Sequence, residues 1–188
     1  MAGLVSLYNT ALSMVGGRTL TNPDAALREA ELCNQFFPSV RDEVTLEYEW
    51  SYAVKTAALA LVEETEGPYR FVYQIPGDAL RILELTMPSR HPYSGSWEKI
   101  GDKIHCSNEL SWARYIARID TVTSIPTHVR EAMAIKLAGR LAFPLAQSLQ
   151  LEQTLYQRYQ ITLDNAMHIE GSLKQNRPLE HKRWTEAG

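Results

Sequence analysis

The 188-residue sequence is poor in the features that mark secreted or membrane-spanning proteins. Its two cysteines, Cys33 and Cys106, are too few for a disulfide scaffold, which favours a reducing compartment. The longest apolar runs, such as residues 57–62, are far shorter than a membrane span. The first residues contain no basic region of the kind that opens a signal peptide. We therefore expect a cytosolic globular protein that makes no membrane contact.

Motifs of common catalytic and metal sites are also missing. The pair Gly16-Gly17 is too short for a phosphate-binding loop and is explained better as the end of a helix. His105 and Cys106 lack further ligands at the spacing of a zinc site. The sequence therefore predicts no catalytic residue, no metal and no cofactor.

Neither sign of charge dominates, because 19 basic and 22 acidic residues leave a net charge of −3. This balance counts against a strongly basic nucleic-acid-binding protein. The charge is nevertheless uneven along the chain. Residues 24–66 hold ten acids and three bases, whereas residues 172–188 hold four bases and two acids. Such asymmetry is typical of surfaces that meet partners, although a solvated face also explains it.

Apolar residues recur at helical intervals at both ends of the chain. One helix is predicted from Gly3 to Val15, and a second follows with Asn22 as its N-cap and Pro38 inside it. Near the other end, an alanine-rich helix is predicted to follow Pro126, and a final helix runs over residues 151–171. The two ends must pack together, because each helix has an apolar face that it cannot bury alone.

The middle of the chain has the short aromatic and aliphatic segments of strands. The predicted strands are residues 69–73, 80–85, 98–105 and 112–119. The third of these segments is a hairpin, with Gly101 first in a two-residue turn of type II′. Residues 51–62 fit either a strand or a buried helix. We expect an α+β fold with three parts: a four-helix bundle of residues 1–49 and 123–171, an inserted small antiparallel β lobe of residues 50–122, and an extended C-terminal tail of residues 172–188.

The segment Tyr73-Gln-Ile-Pro76-Gly-Asp78-Ala-Leu-Arg81 lies in this middle part. It resembles the Tyr-x-x-Pro-x-Asp-x-Leu-Arg pattern of the head-to-tail adaptor family of short-tailed bacteriophages, the tail tubular protein A group. The resemblance extends in order over about residues 3–170. It includes the N-terminal helical pair, Trp50 before the strands, the hairpin around Gly101, Ile125-Pro126 and the alanine-rich helix.

The resemblance implies a structural, non-enzymatic protein of the virion neck that is assembled in the host cytoplasm. Copies of the chain would form a twelve-fold ring around the DNA channel, between the portal protein and the tail nozzle protein, tail tubular protein B. A ring of one chain needs two different, complementary flanks on each subunit. The packaged DNA would pass close to the ring without specific binding.

Three groups of residues are candidates for roles in such a protein, two of them in contacts and one in holding the fold. Acidic side chains of the second helix are candidates for the channel wall or a subunit interface, where they would repel the DNA backbone; they are Asp42, Glu43 and Glu47. A structural loop is expected at Tyr73, Pro76, Asp78 and Arg81, in which Asp78 accepts hydrogen bonds and Arg81 reaches a carboxylate. By analogy, the tail would bind the portal through Lys174, Arg177, Lys182, Arg183 and Trp184, although a frayed terminus explains this composition equally well.

Two other functions remain open. A small DNA-binding or regulatory protein would bind duplex DNA with strong salt dependence. A wall-degrading enzyme carried in the tail would need two facing carboxylates, for which Glu63 and Glu64 are candidates.

Overall fold

The structure, a computed structural model, describes residues 2–174 and contains four α-helices and seven β-strands. The helices are α1 (Ala2–Met14), α2 (Arg28–Glu47), α3 (Thr127–Ala146) and α4 (Leu149–Lys174). The strands are β1 (Val54–Ala58), β2 (Ala60–Glu64), β3 (Phe71–Gln74), β4 (Ala79–Thr86), β5 (Trp97–Ile100), β6 (Lys103–Cys106) and β7 (Trp112–Ala117). A short 3₁₀ helix, Val122–Ser124, precedes α3.

The strands form two antiparallel sheets that pack against each other. The first sheet has the order β1-β7-β4 and the second has the order β2-β3-β6-β5. Alternate residues of β7 point towards the second sheet, since side chains of a strand alternate between its faces. The resulting core between the sheets contains Phe71, Tyr73, Ile104, Cys106, Ala113 and Tyr115.

Helix α3 lies at the centre of the helical part. Its buried residues occupy several sides of the helix, and alanines among them, such as Ala134 and Ala138, let neighbours approach closely. Among the described residues, the extensive contacts between helices are those of α3 with α1, α2 and α4. Ile116 of β7, together with Trp50 and Ala53, completes the same core.

The predicted four-helix bundle with a small β lobe is therefore wrong, although the broader α+β class agrees with the structure. In a bundle, helices enclose a shared core and each packs against its neighbours. Here one helix is surrounded by the other three, and a strand residue, Ile116, enters their core. The β part has seven strands and a core of its own. The periodicity identified the apolar faces but did not identify the element that each face packs against.

Two predicted helix ends also differ from the structure. Asn22 accepts a hydrogen bond from the amide of Asp24 at 3.0 Å, so it caps a turn, and α2 begins only at Arg28. Gly171 does not end α4, which continues to Lys174. The ambiguous residues 51–62 contribute the strands β1 and β2. The predicted hairpin is confirmed, and Gly101 has the positive φ of 62° that its turn requires.

Candidate interaction surfaces

The loop between β3 and β4 is fixed to the first sheet by Asp78. Its carboxylate accepts a hydrogen bond from Lys55 Nζ at 2.7 Å and another from the Tyr115 hydroxyl at 3.0 Å. The hydrogen bond from Lys55 is the largest cause that lowers the pKa of Asp78 below its usual range. The carbonyl of Asp78 also accepts a hydrogen bond from the amide of Arg118 at 2.7 Å. Asp78 therefore connects β1, β7 and the residues that follow β7.

The other residues of this loop pattern divide into two kinds. Tyr73 is buried, and its hydroxyl accepts a hydrogen bond from the amide of Leu110 at 3.0 Å. The carbonyl of Pro76 accepts a hydrogen bond from the amide of Ala79 at 2.9 Å, which closes the turn. Arg81 is exposed, and no carboxylate within residues 2–174 forms an ion pair with it. Tyr73 and Pro76 thus hold the fold, whereas Arg81 remains available to a partner.

The predicted acidic residues of α2 form ion pairs within the chain. Asp42 accepts hydrogen bonds from Arg118, with Nε at 2.9 Å and Nη2 at 2.7 Å from Oδ2. Arg41 Nε lies 3.0 Å from the other carboxylate oxygen of Asp42, and Arg41 also pairs with Asp120 at 2.6 Å. Asp42 therefore joins α2 to the end of the first sheet.

Glu43 and Glu47 face basic residues of α3. Lys136 Nζ lies 3.0 Å from Glu43 and 3.9 Å from Glu47, and Arg140 lies 3.2 Å from Glu43. Burial raises the pKa of Glu43, but the hydrogen bonds and charges of Lys136 and Arg140 outweigh it, so the net shift is downward. These pairs offset the negative charge of α2 and hold the helix on α3.

Arg118 brings two of the predicted groups together. Its guanidinium binds the carboxylate of Asp42, and its amide binds the carbonyl of Asp78. The acidic helix and the structural loop are therefore neighbours in the fold, although they are far apart in sequence. In the sequence, this contact was indicated only by the position of an arginine at the end of a predicted strand. That position did not identify the residues that the arginine binds.

Of the predicted tail residues, only Lys174 lies within the described chain. Its ammonium donates a hydrogen bond to the carbonyl of Glu49 and lies 4.6 Å from the centre of the Tyr48 ring. One turn earlier, Glu170 is 1% exposed and is hydrogen-bonded to the amide of Ser51. The end of α4 is thus bound to the segment that leads into β1. Arg177, Lys182, Arg183 and Trp184 lie outside the described residues.

Large exposed apolar side chains occur in two further places, which the sequence pattern did not indicate. The first is the pair of opposite edges of the second sheet, called the sheet edges, with Leu61 and Val62 on β2 and Trp97 and Ile100 on β5 between 42% and 49% exposed. The second is the solvent-exposed side of α4, called the outer face of α4, along which Leu149, Tyr156, Ile161, Ile169 and Leu173 are spread over several turns. Exposed apolar residues that are close together, as on each sheet edge, are typical of interaction sites. In α4, these apolar residues occupy positions at which the helical pattern predicts polar side chains. This departure from the pattern was the signal in the sequence that could have indicated the exposed apolar residues.

A cleft of about 660 Å³ lies beside this face of α4. Its walls include Leu149, Tyr156 and Tyr159 from α4, and Lys136 and Arg140 from α3. Both basic side chains already contact Glu43. The cleft is therefore a largely neutral extension of the apolar surface of α4.

The two acids that we considered for catalysis do not face each other. Glu63 and Glu64 are consecutive residues of β2, so their side chains point to opposite sides of the strand. Glu64 lies 3.4 Å from Arg70 on the exposed surface. This geometry does not provide the facing pair of carboxylates that glycoside hydrolysis requires.

Comparison with known proteins does not identify a family for this chain, so a functional proposal depends on the geometry and on the sequence pattern. No protein-family model matches the chain, and no curated protein is significantly similar to it. Within residues 2–174, none of the helices combines the length and the apolar character of a membrane span.

Proposed function

We propose that this protein is a structural head-to-tail adaptor of a short-tailed bacteriophage. In this proposal, copies of the chain assemble into a ring that joins the portal to the tail nozzle around the DNA channel. The observation that carries the proposal is the pair of opposite exposed edges of the second sheet, β2 and β5, each with two exposed large apolar side chains. The sequence pattern from Tyr73 to Arg81 supports the same assignment, because it resembles the pattern of that family.

Two different surfaces are what a ring of identical subunits needs. A twofold dimer uses one self-complementary surface, whereas a closed ring uses two surfaces that complement each other. The edge strands β2 and β5 lie at opposite ends of the strand order of the second sheet, so one subunit presents both without conflict. Each contact in a ring is repeated around the axis, so modest individual interfaces give a stable assembly.

Portal binding is assigned in this proposal to the tail that follows α4. The end of α4 is held by Glu170 and Lys174, so the tail starts from a fixed position. Arg177, Arg183 and Trp184 have the composition of an interface anchor. The acids Asp42, Glu43 and Glu47 remain candidates for the channel or a subunit contact, with their charge offset by intramolecular pairs.

The experiment is to mix the purified protein with the portal protein of the same phage and to measure the mass of the complex by native mass spectrometry. We expect a closed multiple of the chain bound to one portal ring. The variant Val62→Asp should reduce assembly, because it places a charge in the exposed apolar edge at β2. Asn165→Asp is the matched control, since it adds the same charge at an exposed polar position of α4, away from both edges.

A protein that remains monomeric in the presence of the portal would contradict the proposal. Strong binding of free protein to duplex DNA that weakens steeply with salt would instead favour the regulatory alternative.

A further inference from the structure

The second sheet has two unprotected edges. In the order β2-β3-β6-β5, the strands β2 and β5 each have one hydrogen-bonded neighbour. Every residue of both strands is exposed, and each strand carries two large apolar side chains. An exposed sheet edge is a template for another strand, and proteins usually cover or blunt it. These edges therefore need either protection or a partner strand.

The directions of the strands allow one copy to continue the sheet of another. All three pairings in the second sheet are antiparallel. With four alternating strands, β2 and β5 run in opposite directions. When a second copy is placed beside the first with its strands pointing the same way, its β2 lies antiparallel to β5 of the first copy. The antiparallel pattern therefore continues without a break.

The charges distinguish this arrangement from a pairing of β2 with itself. Glu63 and Glu64 lie at the end of β2, and a β-bulge between Leu61 and Glu63 disturbs its register. A pair of two β2 strands would carry four carboxylates and no base. β5 instead carries Glu98 and Lys99, whose charges cancel, and its neighbour β6 begins with Lys103. Because like charges across a strand pair are destabilising, the smaller unbalanced charge favours the pairing of β2 with β5 over the pairing of β2 with itself.

We propose that β2 of one copy pairs with β5 of the next copy, so that the second sheets of successive subunits form one continuous antiparallel sheet. The contact buries Leu61 and Val62 of one subunit with Trp97 and Ile100 of the other. This inference rests on the proposed ring and names its subunit contact. The partner is a second copy of this chain.

The test is disulfide cross-linking between two variants that each carry one added cysteine. Val62→Cys protein is mixed with Trp97→Cys, Glu98→Cys, Lys99→Cys or Ile100→Cys protein, assembled on the portal and oxidised mildly. The natural Cys33 and Cys106 are buried and do not compete. We expect a cross-linked dimer in the mixtures but not in either variant alone. The yield should alternate along β5, because successive side chains of a strand point to opposite faces.

Cross-linking of Val62→Cys with itself, or of Ile100→Cys with itself, would indicate a twofold pairing and would overturn the inference. Absence of any cross-link would overturn it as well. Native mass spectrometry of the same mixtures separates the two proposals. If a ring forms without cross-links, only the proposed strand pairing is contradicted. If the protein never assembles, both the ring and the pairing are contradicted.

A backbone variant provides a second test. The residues that flank a two-residue turn, here Ile100 and Lys103, form a hydrogen-bonded pair, and such pairs recur at every second residue of the strand. The backbone groups of Ile100 and Glu98 therefore bond to β6, whereas the amide of Lys99 points to the free edge. Lys99→Pro removes this amide and leaves the bonds between β5 and β6 in place. We expect Lys99→Pro to lose the cross-link and Lys99→Gln, which keeps the amide, to retain most of it. Equal yields from both variants would count against strand pairing.

Discussion

The buried carboxylate of Glu170 accepts a hydrogen bond of 2.6 Å from the backbone amide of Ser51. The two residues join the last turns of α4 to the segment that enters the first sheet. His128, at the start of α3, lies 3.9 Å from the other carboxylate oxygen of Glu170. One side chain therefore connects two helices and the entrance of the β part.

Replacing Glu170 should destabilise the protein. Glu170→Ala leaves the Ser51 amide without its acceptor and opens a cavity, so we expect a loss of about 2 kcal/mol in the free energy of unfolding. Glu170→Gln keeps an acceptor oxygen and should lose less. Urea denaturation followed by circular dichroism gives both values. The control is Asn165→Ala, at an exposed position of α4, which should change little. An unchanged stability of Glu170→Ala would show that this contact is not needed.

Truncation should separate folding from portal binding. A chain that ends at Lys174 keeps the contacts of Glu170 and Lys174, so its thermal midpoint should match that of the full chain. A chain that ends at Gly171 loses the contact of Lys174 with Glu49 and should unfold at a lower temperature. Both chains should lose portal binding, as measured by co-sedimentation. Binding that survives in the longer truncation would contradict the role proposed for the tail.

The ion pair of Asp42 and Arg118 should make a measurable contribution to stability. It has two short hydrogen bonds and is only partly exposed, so a double-mutant cycle of Asp42→Ala and Arg118→Ala should give a coupling of about 1 kcal/mol. The comparison is the cycle of Glu64→Ala and Arg70→Ala, a more exposed pair at 3.4 Å, for which we expect a coupling near zero. Equal couplings in the two cycles would show that the geometry of Arg118 adds nothing.

Asp78 should contribute to the loss of stability in acid. Because its folded pKa is lowered, its contribution is present above its unfolded pKa of about 4 and is lost as the pH falls through the folded value. Asp78→Asn should therefore be less stable than the natural protein at pH 7, and the difference should shrink below about pH 4. Urea denaturation at several pH values measures this. A difference that stays constant with pH would exclude the carboxylate charge as its cause.

Local patterns were sufficient to predict much of the secondary structure. The apolar spacing of α1, the glycine of the β5–β6 hairpin and the alternation of β7 each follow from interactions between near neighbours. The start of α2 was missed because the Asn22 side chain stabilises a separate turn, which has the same sequence signal as a helix cap. The bundle was wrong because an apolar face does not specify whether a helix or a sheet covers it.

The candidate surfaces were less accessible from the sequence. The pattern indicated that Asp78 accepts hydrogen bonds, but Lys55 and Tyr115 come from distant strands and only the fold brings them there. The acids of α2 were identified as a charged group, whereas their partners Lys136 and Arg140 lie on another helix. Exposure of Val62 and Trp97 depends on which strands lie at the edges of the sheet, and that order is set by long-range pairing.

The two segments that join the helices to the sheets run beside each other, and the amide of Ala117 donates a hydrogen bond of 2.8 Å to the carbonyl of Ala53. A single connection would act as a swivel, but two bonded connections resist twisting. A torque applied to the sheets is therefore transmitted to α3. In the proposed ring, such stiffness would keep the bore aligned while a load passes from one end of the subunit to the other.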